Sequence, residues 1–150
     1  MATMPQQGQQ LPEVEFVTEG GERLPAAELG GEKTVLYFYP KDDTPGCTKE
    51  ACAFRDRMAD YERAGIRVYG VSLDSPESHR RFREKHNLNF PLLTDEEGRA
   101  SEALGVLREN RERPNRVTFL LDPELRIAKV YPEVSPETHA DEILEDAASL

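Results

Sequence analysis

The sequence has few cysteines, a deficit of basic residues and no long apolar run. Its 150 residues include only two cysteines, too few for the disulfide framework of a small secreted domain. Lys and Arg number 19 against 29 Asp and Glu, which gives a net charge of -10. Nucleic acids and anionic membranes both attract basic surfaces, so we expect neither as a partner. A transmembrane helix needs ~20 apolar residues, whereas the most apolar stretches, 35–39 and 117–121, have the length of strands.

The chain length fits one domain. Residues 1–12 are rich in Gln, Pro and Gly, so we predict a flexible N-terminal lead-in followed by a single domain over 13–150. The N-terminus lacks the basic start and apolar stretch of a signal peptide, so we expect a cytoplasmic protein. In that reducing compartment, two nearby cysteines are more often reactive or metal-binding than structural.

Predicted strands alternate with predicted helices along most of the chain. A hairpin is predicted around Gly20-Gly21, and another around Asp122-Pro123-Glu124. Ser-Pro-Glu at 75–77 and again at 135–137 is typical of a helix start. The pattern predicts an α/β fold with a central mixed β-sheet flanked by helices. The predicted strands span 33–39, 66–73, 90–93, 116–121 and 126–131, and the predicted helices span 47–64, 76–86, 95–105 and the residues after 135.

The stretch FYPKDDTPGCTKEACAFRD, residues 38–56, carries the chemistry. Cys47 lies in the first turn of the predicted helix, where free backbone N–H groups and the helix dipole favour thiolate over thiol. The hydroxyl of Thr44, three residues earlier, can both donate and accept, and so could orient a small polar substrate. Cys47 also shares an apolar stripe with Ala51 and Phe54. A partly desolvated thiolate on that stripe needs a cationic partner.

Cys52 follows Cys47 by five residues. In an intact helix, that spacing separates the two Cα atoms by ~8–9 Å, whereas a disulfide needs roughly 4.4–6.8 Å. The side-chain directions also differ by ~140°. Any bond between the two cysteines therefore requires the first turns to unwind, which predicts a conformational switch tied to redox state.

Two other interpretations of the cysteines involve no redox chemistry. Free cysteines often pack as small hydrophobes, which accounts for the apolar stripe but not for the helix start after Pro-Thr-Pro-Gly. A zinc site needs about four ligands, and His79, His86 and His139 show no ligand spacing with the cysteines. We expect each histidine to be a surface residue on a helix.

The pattern Pro-x-x-x-Thr-x-x-Cys, here Pro40, Thr44 and Cys47, resembles the active-site segment of the peroxiredoxins. The similarity is closest to the bacterioferritin comigratory protein, or peroxiredoxin Q, subfamily, whose second cysteine matches Cys52. It covers most of residues 33–131. The resemblance implies a thioredoxin-like fold and a thiol peroxidase, with Cys47 as the peroxidatic cysteine and Cys52 as the resolving cysteine.

The resemblance also implies roles for residues around the sulfur. Pro40 and Thr44 match residues that shield the thiolate and hydrogen-bond the peroxide, and Glu50 matches a supporting position. Arg116 matches the family's active-site arginine. The preceding stretch RENRERPN is unusually charged, so Arg113 competes for that role. We favour Arg116 because it opens an apolar strand, where its charge needs a partner.

The implied substrates are hydrogen peroxide and organic hydroperoxides, and the implied reductant is thioredoxin or a similar dithiol. No metal or organic cofactor is required. Members of the subfamily are often monomers, so we expect a monomer. The usual Gly-x-x-Ala-Pro-x-Phe opening is here LPEVEF, which departs from the family pattern.

Two rival functions stay open from the sequence. A thiol-disulfide oxidoreductase also uses a cysteine at a helix start, but usually with two residues between its cysteines, whereas this chain has four. A redox sensor or binding module of thioredoxin-like fold could use the acidic C-terminal helix as a partner surface.

Overall fold

The computed structural model describes residues 3–150, within which seven strands and four α-helices are found. The strands are β1 Glu15–Val17, β2 Arg23–Pro25, β3 Lys33–Phe38, β4 Ile66–Ser72, β5 Leu92–Thr94, β6 Val117–Leu121 and β7 Ile127–Tyr131. The helices are α1 Pro45–Arg63, α2 Pro76–His86, α3 Arg99–Ala103 and α4 His139–Ala147. Short 3-10 turns precede β3 and α3.

The strands form one mixed sheet in the order β2-β1-β5-β4-β3-β6-β7. The centre is parallel, with β3 beside β4 and β4 beside β5. The flanking pairs are antiparallel, including β6 against β3. The predicted α/β class and thioredoxin-like fold are confirmed.

Strand β3 is buried because both faces of the sheet are covered. Successive side chains of a strand point to opposite faces. Val35 and Tyr37 therefore join a core with α1, α2 and α4, whereas Leu36 and Phe38 join a second core on the other face. Strands covered on both faces are continuously apolar rather than alternating, which is the pattern of this strand.

The helix starts predicted from Ser-Pro-Glu differ in outcome. Helix α2 spans the predicted 76–86, and the Ser75 side chain accepts the N–H of Ser78 at 3.1 Å. The last helix begins at His139 rather than directly after Ser135, because the Ser135 carbonyl accepts the N–H groups of Thr138 and His139 in a separate turn. The second Ser-Pro-Glu therefore opens a turn that leads into α4.

The helix predicted over 95–105 is broken. Glu97 and Gly98 both have left-handed backbone angles, with φ of 56° and 69°. Helix α3 begins only after them, at Arg99. The Asp95 carboxylate caps this later helix by accepting the N–H groups of Ala100 and Ser101 at 2.8 and 2.7 Å.

The predicted lead-in over 1–12 makes backbone contacts with the C-terminal hairpin. Gly8 and Leu11 donate to the carbonyls of Ile127 and Leu125, and the Leu11 side chain is buried. Residues 1 and 2 lie outside the described residues. Residues before and after position 12 therefore both make backbone hydrogen bonds to other parts of the fold. The division into a lead-in and a domain stays a prediction.

The prediction of surface histidines is wrong for two of the three. His79 and His139 are buried, whereas His86 is half-buried. Each buried ring has polar partners, which makes burial tolerable. Nε2 of His139 lies 2.7 Å from the Thr118 hydroxyl, and both nitrogens of His79 face oxygen acceptors. Within residues 3–150, no helix has the length and apolar character needed to cross a membrane.

Candidate active site

Cys47 lies near the C-terminal ends of the parallel strands at the centre of the sheet. Strand β3 ends at Phe38, residues 39–44 form a loop, and α1 begins at Pro45 with extended Thr44 as its N-cap. Proline suits the first helical position because its missing N–H has no partner there in any case. Helix α1 thus starts two residues before the predicted 47, and Cys47 is its third residue, still within the first turn. Its side chain is 1% exposed, at the end where helix N–H groups and the dipole favour negative charge.

Arg116 brings a guanidinium to the sulfur. It directly precedes β6, whose Val117 pairs with Phe38 at the end of β3. This pairing sets Arg116 beside the start of α1, where Nη2 donates to Cys47 Sγ at 3.4 Å. Gly46 makes room for it, since a Cβ at that position would lie 2.9 Å from Nη2. The cation that the sequence predicted for a buried thiolate is present here.

Arg113 lies in the charged loop 108–115. Its backbone carbonyl accepts the N–H of Arg108, and Leu107 pairs with Pro114 beside it. The arginine in contact with the sulfur is Arg116, the one that directly precedes the apolar strand.

Glu50 holds the other side of the same guanidinium. Its Oε1 accepts from Arg116 Nη1 at 2.8 Å, and its side chain is 0% exposed. Oε2 is buried without a hydrogen-bond partner. Burial raises the pKa of Glu50 to about 7, although Arg116 opposes that rise. Burial also disfavours the charge of Arg116, but Glu50 and Cys47 outweigh it and raise the Arg116 pKa.

Thr44 and Pro40 lie on the loop before the helix, and both are half-buried. The Thr44 hydroxyl donates to the Lys41 carbonyl at 2.8 Å. A hydroxyl has one hydrogen and two lone pairs, so this bond leaves the Thr44 oxygen as an acceptor. The shielding role expected of Pro40 stays a prediction.

Cys52 is half-buried, about one and a half turns of α1 beyond Cys47. Helix α1 is continuous through both cysteines, and both are free thiols. The intact helix holds the two sulfurs apart, as the spacing predicted. Among residues 3–150, no group of three or more His, Cys, Asp and Glu side chains could hold a metal ion.

Sequence reasoning missed a buried polar cluster beneath the loop. The Asp42 side chain contacts Tyr39, Ser78 and His79. The available signal was the acidic pair Asp42-Asp43 directly before Thr44, but nothing in the local pattern indicated that His79 would meet it.

A mixed sheet with a buried cysteine at a helix start, an arginine on its sulfur and a threonine on the preceding loop defines the peroxiredoxin class. The model of the AhpC/TSA family matches residues 7–130. The chain therefore belongs to the AhpC/TSA family, and it is a thiol-dependent peroxidase of the Bcp and peroxiredoxin Q kind.

Individual relatives agree with this placement. The putative peroxiredoxin bcp of Coxiella burnetii is 44% identical over 143 residues, which cover 91% of this chain and 95% of that protein. The peroxidoxin BcpB of Mycobacterium tuberculosis has a similar crystal structure, with a TM-score of 0.89, 30% identity, and coverage of 97% and 98% of the two chains. The bacterioferritin comigratory protein of Xanthomonas campestris, studied for alkyl peroxide reduction, is 31% identical with a TM-score of 0.86 over 95% and 98%.

Proposed function

We propose that this chain reduces hydroperoxides through Cys47, with Cys52 as the resolving thiol and an external dithiol of the thioredoxin type as reductant. The observation that carries the proposal is the contact of 3.4 Å between Arg116 Nη2 and Cys47 Sγ at the N-terminus of α1. A cation and helix N–H groups together stabilise a thiolate, which is the nucleophilic form of cysteine.

In the first step, the Cys47 thiolate attacks the terminal oxygen of the peroxide. The S–O bond forms as the O–O bond breaks, which yields a sulfenic acid and a hydroxide or alkoxide. That leaving oxygen then takes a proton from solvent. Arg116 is fixed in advance by Glu50, so it can stabilise the developing charge without reorganising. Thr44 accepts the peroxide O–H and orients it.

In the second step, the Cys52 thiol attacks the sulfenic sulfur and water leaves. The product is a Cys47–Cys52 disulfide, which the dithiol reductant returns to two thiols. Because the intact α1 keeps the cysteines apart, the start of the helix has to unwind before the bond forms. The resolving step is therefore coupled to opening of the first turns.

The substrate class includes hydrogen peroxide and alkyl hydroperoxides. The activity studied in the Xanthomonas campestris relative supports the alkyl substrates. A cytoplasmic location and a monomeric state complete the proposal. Among the residues described, Leu150 is the one large hydrophobic side chain that is exposed, so no apolar patch favours a partner chain.

Steady-state peroxide consumption with thioredoxin, thioredoxin reductase and NADPH tests the proposal. Cys47→Ser should abolish turnover, and Cys52→Ser should stall recycling by thioredoxin. Arg116→Ala should slow oxidation by peroxide far more than reduction of the disulfide, and equal losses would indicate a folding defect instead. Full peroxide consumption by Cys47→Ser would refute the mechanism. Efficient insulin disulfide reduction without peroxide turnover would favour a thiol-disulfide oxidoreductase.

A further inference from the structure

A buried, hydrogen-bonded pair, Asp42 and His79, lies beneath the loop that carries Thr44. The Asp42 side chain is 4% exposed and the His79 side chain 0% exposed. Oδ2 of Asp42 lies 2.8 Å from His79 Nδ1 and also accepts from the Ser78 hydroxyl at 2.8 Å. Oδ1 accepts from the Tyr39 hydroxyl at 2.5 Å. Three side chains thus contact the Asp42 carboxyl group, which has no role in the peroxidase mechanism proposed above.

Both ring nitrogens of His79 have buried oxygen partners. Nε2 lies 3.1 Å from the Leu93 carbonyl, which can only accept, so Nε2 carries a hydrogen. Nδ1 lies 2.8 Å from Asp42 Oδ2. A buried carboxyl group and imidazole ring satisfied in this way hold a single geometry, since losing either one leaves a buried polar group without its partner.

The peptide between Lys41 and Asp42 transmits this geometry to Thr44. The Asp42 N–H donates to Asp74 Oδ2 at 2.8 Å, while the Lys41 carbonyl accepts the Thr44 hydroxyl at 2.8 Å. These N–H and C=O groups belong to one planar trans peptide and point in opposite directions. Fixing the Asp42 end therefore fixes the direction of the Lys41 oxygen and, with it, the hydrogen of Thr44.

We propose that Asp42 and His79 are positioning residues for the peroxide step. The buried pair anchors the Asp42 side chain while Asp74 holds the Asp42 N–H, so that the Lys41 carbonyl takes the Thr44 hydrogen and leaves the Thr44 oxygen to accept the peroxide O–H. The inference rests on the proposed function, in which Thr44 orients the peroxide. It assigns the pair an effect on peroxide but not on reagents that need only an accessible thiolate.

The test compares two reactions of Cys47 in a Cys52→Ser background, where the cysteine reacts once. Oxidation by hydrogen peroxide requires an oriented O–H, whereas alkylation by iodoacetamide does not. Asp42→Ala and His79→Ala should each slow oxidation by roughly 10- to 100-fold, the scale of a small misplacement in an active site. Alkylation should stay within about twofold of the parent. Equal losses in both reactions would overturn the inference.

Two further variants distinguish a positioning role from a general loss of fold stability. Asp42→Asn can still accept from Tyr39 and can donate to His79 Nδ1, so it should keep oxidation within about twofold of the parent. Asp95→Ala removes a carboxylate that is also fully buried but caps α3 instead. It should destabilise the fold while leaving both reactions of Cys47 at the parent rate. A slow Asp42→Asn, or a slow Asp95→Ala, would overturn the inference.

A double-mutant cycle with Thr44→Val shows whether the pair acts through Thr44. Residues that act as one unit are not additive, so adding Asp42→Ala to Thr44→Val should slow oxidation no further. Additive losses would overturn the inference. If Thr44→Val oxidises at the parent rate, the role of Thr44 in the proposed function fails, and the inference fails with it. If Thr44→Val is slow and Asp42→Ala is not, only the inference fails.

Discussion

Replacing Glu50 by glutamine should remove a pH dependence of stability that this one buried carboxyl creates. The folded protein holds the Glu50 pKa at about 7, against an ordinary value of 4.5. Between these pH values, the unfolded chain has released its proton while the folded chain retains it. Stability therefore falls as pH rises. The stabilising contribution is complete below the lower value and is lost as pH rises through the upper one.

The magnitude follows from the difference between the two pKa values. At ~1.36 kcal/mol for each pKa unit, this shift corresponds to about 3 kcal/mol. Glu50 is fully buried, so little of this is screened by solvent. Glutamine has the same shape, can still accept from Arg116 and does not titrate. The Glu50→Gln variant should therefore lack this part of the pH dependence.

Urea unfolding of the reduced protein, followed by far-ultraviolet circular dichroism at about pH 5 and pH 8, measures the effect. From about pH 5 to pH 8, the free energy of unfolding of Glu50→Gln should rise relative to that of the parent by most of the ~3 kcal/mol. Glu133→Gln makes the same change on an exposed side chain and controls for the loss of one carboxylate. Equal pH dependence in the parent and Glu50→Gln would refute the picture of a desolvated carboxyl behind Arg116.

Three further predictions test the packing around the site. Gly46→Ala should slow oxidation by peroxide about tenfold, because its Cβ would displace Arg116; stopped-flow oxidation at the parent rate would contradict this. Phe54→Ala should cost about 3–5 kcal/mol in urea unfolding, because Phe54 stacks on Tyr37 with ring centroids 4.7 Å apart; a cost below 1 kcal/mol would contradict the packing. Ser75→Ala should cost about 1 kcal/mol by removing the cap of α2, and an unchanged unfolding midpoint would show that the cap contributes nothing.

Patterns within one element were predictable from the sequence. The continuous β-branched and aromatic run of β3 and the helical period of the apolar stripe of α1 each lie within one element, so the sequence predicts their existence and approximate bounds. Arg116 could be chosen over Arg113 because a charge next to a buried strand needs a partner. The structure supplies two such partners, Cys47 and Glu50.

Contacts between distant elements were not predictable in the same way. Asp42 and His79 are 37 residues apart. No residue pattern in the loop or in α2 predicts that these two segments contact each other. The sequence predicts an exposed His79, because a histidine within a charged helix usually lies at the surface. It is buried because α2 packs on β5 with that face inward, where the Leu93 carbonyl and Asp42 supply its partners.

Helix boundaries depended on backbone detail that residue types do not specify. The second Ser-Pro-Glu, residues 135–137, predicts a helix start, but residues 135–138 close a turn before α4. The break before α3 arises from left-handed Glu97, a conformation that a non-glycine residue adopts infrequently. Neither feature changes the site, because Cys47 and Glu50 lie on α1 and Arg116 directly precedes β6, two elements whose sequence patterns are clear.

Intact-mass analysis after one equivalent of hydrogen peroxide tests most directly whether Cys47 attacks peroxide and Cys52 resolves it. The parent protein should lose two hydrogens, and Cys52→Ser should gain one oxygen. Blocking Cys47 beforehand should prevent both changes. An oxygen retained on the parent, or a Cys52→Ser variant whose mass does not change, would contradict the account.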